Sequence, residues 1–167
     1  MKITFILIFI LGQLFNFTAN ATKILDFKFG LVCPDKENKS AWICHETKEI
    51  KITGQGVCTF NKKRGPCTWY GVSFNYTEHN INEKIKCIGK SPIPFTLGNP
   101  DGKDKASSRE HKYSLELKGR NGAYINPQYT TYSTKNLKNH IQKYSTECFI
   151  GNKLAYKYEY SIIYPIK

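Results

Sequence analysis

The sequence predicts an all-β protein, an antiparallel β-sandwich of seven or eight strands, and three observations carry the prediction. Apolar side chains recur at every second position through most of the chain, as they do on the buried face of a strand. Glycine and proline fall mostly between these alternating segments, where strands must turn. Cysteine occurs six times, an even number that reads as three disulfides. Strands with one apolar face need a second sheet to cover it, which makes a sandwich the default. An immunoglobulin-like and a jelly-roll arrangement fit the spacing equally well.

The first segment of the 167-residue chain reads as an export signal. Met1-Lys2 gives a positive start, Ile3 to Phe15 is an almost unbroken apolar run, and Ala19 and Ala21 are the small residues of a cleavage site after Ala21. The run is shorter than the roughly 20 residues of a bilayer span. No later segment is long and apolar enough to cross a membrane. Thr22 to Lys167 is then one domain in size, destined for secretion or the periplasm.

The elements follow in order. Ile24 to Val32 alternates Leu25, Phe27, Phe29 and Leu31 against Asp26 and Lys28. Glu49 to Gly54 is a second strand. Thr68 to Glu78 places Tyr70, Val72, Phe74 and Tyr76 on one face, with Trp69, Gly71, Ser73 and Asn75 on the other. Lys84 to Gly89 follows. Tyr113, Leu115 and Leu117 alternate ahead of Asn121-Gly122, which reads as a tight hairpin turn. Glu147 to Ile150 and Lys153 to Ile163 bracket Gly151-Asn152, a second hairpin signal. A short helix is expected at Thr134 to Tyr144, where Leu137, Ile141 and Tyr144 share a helical face. The stretch Ser91 to Glu110 has no clear period apart from a strand at Phe95 to Gly98, and its length suggests a binding loop or hinge.

All six cysteines, Cys33, Cys44, Cys58, Cys67, Cys87 and Cys148, follow the leader, which places them in an oxidising compartment. Fifteen pairings exist in principle. Cys58 and Cys67 flank a short turn-rich segment and form the best local pair, leaving Cys33 with Cys44 and Cys87 with Cys148. With no C-x-x-C and no paired histidine spacing, a zinc site is not expected. Asn99 to Asp104 lacks the alternating oxygens of a calcium loop. No cofactor motif is present: neither G-x-S-x-G, H-E-x-x-H nor a glycine-rich phosphate loop occurs.

The formal net charge is +12, of which the leader's Lys2 contributes one. A basic exported protein is drawn to anionic partners: a glycan, a lipid surface or an acidic protein. Only three of the 25 basic residues are arginine, which argues against dedicated bidentate phosphate recognition and hence against nucleic acid. A/T-rich coding would by itself also enrich lysine.

Among candidate sites, "CTFNKKRGPC" stands first, with Lys62, Lys63 and Arg64 at the crown of a stapled loop. Such a loop would grip an anion or, as an alternative, lie in a trypsin-like protease as an inhibitor. The stretch Lys105 to Lys143 carries eight Lys or Arg against two Glu and supplies Lys112, Lys118 and Arg120 as further binding candidates. The stripe Leu154, Tyr156, Tyr158, Tyr160 and Ile162 resembles a sugar platform but reads chiefly as core. A small ribonuclease would need His45, His111 and Lys112 to converge on one phosphate. Asn38 and Asn75 sit in N-glycosylation acceptor triplets. The sequence therefore points to a binding protein rather than a catalyst.

Overall fold

Alternation of apolar and polar residues resolves into ten strands in a computed structural model that describes residues 22–35, 40–60, 62–81, 83–95, 108–131 and 140–165. The apolar leader, Asn38, the 99–104 segment and residues 134–139 lie outside the described residues. The strands are β1 (Lys23–Asp35), β2 (Ser40–Glu46), β3 (Glu49–Lys51), β4 (Gly56–Phe60), β5 (Lys63–Thr77), β6 (Ile85–Phe95), β7 (Ser108–Leu115), β8 (Gly122–Thr131), β9 (Ile141–Ile150) and β10 (Lys153–Ile163).

The long strand β5 organises the first sheet. Its Tyr70–Thr77 half pairs with β1, its Lys63–Cys67 end pairs with β4, and β8 runs along its other side. β2 extends the sheet beyond β1. The second sheet has the order β3-β10-β9-β6-β7, antiparallel except for the short parallel pair β3–β10. This is a disulfide-bonded β-sandwich.

Its interior is built from aromatic rings. Phe29 of β1 packs on Tyr158 and Tyr160 of β10 with centroids 5.1 and 4.7 Å apart, Phe27 lies 4.9 Å from Tyr156, and Phe74 of β5 lies 5.4 Å from Tyr156. Tyr156, Tyr158, Tyr160 and Ile162 are all buried, so the tyrosine stripe is core. Leu154, which continues the stripe in sequence, is 53% exposed because the register shifts between Leu154 and Tyr156. Leu25 is left 45% exposed in the same way. A shift between Leu25 and Lys28, with Asp26 at φ 50°, hands its inward place to Ile24.

Two further expectations change. The helix over 134–144 fails in its second half, since Ile141 to Tyr144 open β9. The inward positions there include Gln142 and Thr146, both buried, and polar residues inside a strand hide its period. Asn121-Gly122 is not a hairpin turn either. β7 belongs to the second sheet and β8 to the first, so residues 116–121 cross between sheets and the positive φ falls on Gly119, at 77°. Gly151, at φ 59°, does turn the β9–β10 hairpin.

The disulfides are Cys33–Cys44, Cys58–Cys67 and Cys87–Cys148. Each joins hydrogen-bonded neighbours, β1–β2, β4–β5 and β6–β9, and none crosses between the sheets.

Candidate functional site

"CTFNKKRGPC" forms a two-stranded ribbon rather than an open loop. Cys58, Thr59 and Phe60 of β4 pair with Gly65, Arg64 and Lys63 of β5, which leaves only two residues between the strands and places Lys62 in a turn. Such turns favour positive φ because their twist matches that of the strands. Lys62 adopts φ 62°, a conformation that suits glycine better than lysine. Five residues of β4 give the ribbon a reach of about 17 Å.

A bare two-stranded hairpin is marginal in water, and the root of this one is held from several sides. Cys58–Cys67 staples it. The buried Thr68 hydroxyl accepts from the backbone N–H groups of Thr53 and Gly54, at 3.0 and 3.3 Å, and donates to Gln55 Oε1 at 3.1 Å. Tyr129 of β8 donates to the Thr59 carbonyl at 2.8 Å, and its ring meets Trp69 edge-on at 5.1 Å. The Trp69 indole lies so close over Gly56 that a Cβ there would stand 2.6 Å from it, which requires glycine.

At the end of this braced arm Lys62, Lys63 and Arg64 are exposed, and none forms an ion pair among the described residues. Lys63 and Arg64 are successive strand residues, so they present charge on opposite faces of the ribbon. The arrangement offers an anion several approaches and no enclosing cleft.

The remaining candidate cations are not gathered at this tip. Lys118 and Arg120 lie on the 116–121 crossover, pinned where Tyr76 donates to the Lys118 carbonyl and His79 N–H to the Arg120 carbonyl. Arg64 and Tyr76 are twelve positions apart on β5, about 40 Å along the strand. Lys112 stands on β7 of the other sheet, 3.8 Å from the Glu110 carboxylate. The six cations chosen from sequence thus fall in three places.

The histidines do not assemble a catalytic group. His45 is exposed on β2. His111, on β7, is buried with Nε2 2.6 Å from the Phe95 carbonyl, while Lys112 beside it is exposed. The His79 ring is buried between the Gly119 and Glu83 carbonyls, 2.9 and 3.0 Å from its nitrogens. Among the described residues no group of three His, Cys, Asp or Glu is placed to hold a metal, and all six cysteines are bridged.

Burial pushes the phenols of Tyr70 and Tyr158 up to about 12. For Tyr70 the hydrogen bond from Tyr160 offsets part of the rise, and for Tyr158 those with Thr146 and Tyr113 do so. Tyr113, Tyr124, Tyr144, Tyr156 and Tyr160 are raised as well, first of all by desolvation. These hydroxyls stay protonated at physiological pH and serve packing.

Both tryptophans stand outside the inter-sheet core, and Trp42 is among the residues bordering a groove of about 260 Å³. The groove joins residues from β1, β2, β5 and β8, and no short motif announces it.

No protein-family model matches the chain, and no curated protein matches it. Among solved structures it is similar to an immunoglobulin-like protein from Pseudomonas aeruginosa, with a TM-score of 0.52 and 11% sequence identity over 87% of this chain and 98% of that one. At that identity the likeness concerns the fold, and it favours an immunoglobulin-like over a jelly-roll arrangement. No helix among the described residues is long and apolar enough to cross a membrane. Structural disulfides fit an extracellular or periplasmic setting.

Proposed function

We propose that this chain is an exported, non-catalytic binding domain that meets an anionic partner through the tip of its β4–β5 ribbon. One observation carries the proposal: three adjacent exposed cations, without a described carboxylate in ion-pair reach, crown an arm braced by a disulfide and by the Thr68 and Tyr129 hydrogen bonds. Bracing reduces the ordering entropy that binding must overcome. The shared chemistry of the partner is a run of negative charge, as on a sulfated glycan, an anionic lipid surface or an acidic protein.

Inhibition of a trypsin-like protease is less well supported. That role needs an extended backbone free to pair with the enzyme, and Lys63 and Arg64 are already paired with Phe60 and Thr59. A ribonuclease role would need His45 and His111 together, and they sit in different sheets.

The test is retention on heparin and on vesicles containing anionic lipid, with the wild type beside K62A/K63A/R64A. Three released counterions correspond to a log–log salt slope of roughly −2 to −3. Salt-sensitive binding that the triple variant loses supports the reading. Salt-insensitive binding, or equal binding by both chains, overturns it.

A further inference from the structure

The geometry points to a second ligand site, on the outer face of the first sheet, that takes a neutral sugar ring between Trp42 and the Asp26–Asn75 pair. Beyond the register shift at Leu31/Val32, the β1–β2 hairpin brings Ala41 and Trp42 to the groove that also borders Ser73 and Asn75 of β5. Val32 and Ile43 are buried yet stand apart from the inter-sheet core, so the hairpin has a small apolar anchorage of its own.

Four observations converge on this groove. Trp42 is 55% exposed, a large aromatic side chain left where water reaches it at a cost unless something covers it. Asp26 holds φ 50° at a β-bulge, a conformation that Asp and Asn adopt more readily than other residues with a Cβ and that bulges use to re-aim a side chain. So aimed, its Oδ2 accepts from Asn75 Nδ2 at 2.9 Å, a contact between residues 49 positions apart that fixes both groups at the groove wall. The volume, about 260 Å³, lies just below the roughly 300–1,000 Å³ of sites for drug-sized molecules and suits one or two pyranose rings.

The chemistry selects the ligand. A pyranose has an apolar C–H face and an equatorial rim of hydroxyls. Trp42 offers a broad apolar surface to the first. For the second, the Asp26 carboxylate keeps unused lone pairs, and charge-assisted bonds from hydroxyls to a carboxylate are among the stronger neutral-ligand contacts. The Asn75 amide and Ser73 hydroxyl add a donor and acceptors. Charge excludes an anionic sugar: Lys28, the cation bordering the groove, is paired with Glu46 at 3.2 Å, leaving Asp26 to set the sign. This site is independent of the cationic ribbon.

Saturation-transfer NMR and tryptophan fluorescence with the methyl glycosides of glucose, galactose, mannose and N-acetylglucosamine test the assignment. The chain is prepared in a host that leaves Asn75 unmodified. At least one glycoside is expected to bind with a Kd of roughly millimolar order, as befits a single ring in an open groove. Trp42→Ala and Asp26→Asn are each expected to weaken it about tenfold. Asparagine tolerates the left-handed backbone, so Asp26→Asn keeps the bulge while removing the charge. Leu154→Ser, on the opposite sheet, is expected to bind as wild type does. Absence of binding by all four glycosides, or affinities unchanged in both Trp42→Ala and Asp26→Asn, overturns the assignment.

Discussion

Raising the pH past 10 should unfold this protein cooperatively, because its two sheets meet across tyrosine hydroxyls. A phenol in the unfolded chain titrates near 10, whereas burial holds Tyr70 and Tyr158 at about 12. A raised folded pKa means that the stabilisation is complete below pH 10 and declines as pH climbs towards 12. Each such phenol loses up to about 1.4 kcal/mol per pH unit in that window. By pH 12 the two together forfeit about 5 kcal/mol, a large part of the 5–15 kcal/mol of a typical domain. Tyr113, Tyr124, Tyr144, Tyr156 and Tyr160 act in the same direction. The transition is therefore expected near pH 11. The assay follows phenolate absorbance and far-UV circular dichroism during a base titration, with disulfides intact. Expected is one step in which most tyrosines ionise together as strand signal disappears. Tyr158→Phe, which keeps the ring and removes the hydroxyl, should shift that step upward and make it less steep. Tyrosines that ionise one after another around pH 10, with the dichroism unchanged, would refute the reasoning.

Three other outcomes follow from the same geometry. Lys62→Gly relieves a left-handed lysine at the ribbon turn, so the melting temperature should hold or rise slightly, by the equivalent of under about 1 kcal/mol, while heparin retention falls. Loss of stability on that change would show that Lys62 is held by contacts rather than strained. Thr68→Val strips acceptors from the Thr53 and Gly54 N–H groups at the ribbon root, and urea unfolding should register a loss of about 2–3 kcal/mol. Removing Cys87–Cys148, which closes 61 residues, should cost more than removing Cys58–Cys67, which closes nine; loop entropy gives about 4 against about 2.5 kcal/mol. Equal losses in denaturant midpoints would point to packing rather than loop size.

Much of the sandwich is legible because most inward residues in β5 and β10 are aromatic or aliphatic. The strands that escaped notice have weak alternation for identifiable reasons. β2 buries Ile43 but leaves Trp42 and His45 to solvent, so its seven residues show hardly any period. The first half of β9 turns Gln142 inward, and that polar residue let Leu137, Ile141 and Tyr144 pass for a helical face. At Leu25 and Leu154 the alternation is real and still points to the wrong face, because a bulge flips every residue on one side of it. The stapled segment at Cys58–Cys67 was visible as a cysteine spacing, but its paired, projecting form was not. Asp26, Trp42 and Asn75 carry no motif. Strand pairing alone brings them to one groove, and pairing over such separations leaves no trace in local sequence.

The placement of the disulfides gives the tyrosine core its importance. In antibody domains a disulfide ties one sheet to the other, with a buried tryptophan packed on it. Here Cys87 and Cys148 face each other on adjacent strands of one sheet, and neither tryptophan enters the core. The bridges hold strand to strand within each sheet, and among the described residues it is chiefly aromatic packing that holds sheet to sheet. Reduction should then loosen individual hairpins, the β4–β5 ribbon among them, whereas base should part the sheets and leave the stapled ribbon closed. If the ribbon is the binding element, mild reduction is the treatment expected to weaken heparin retention while the stacked tyrosines keep the sandwich assembled.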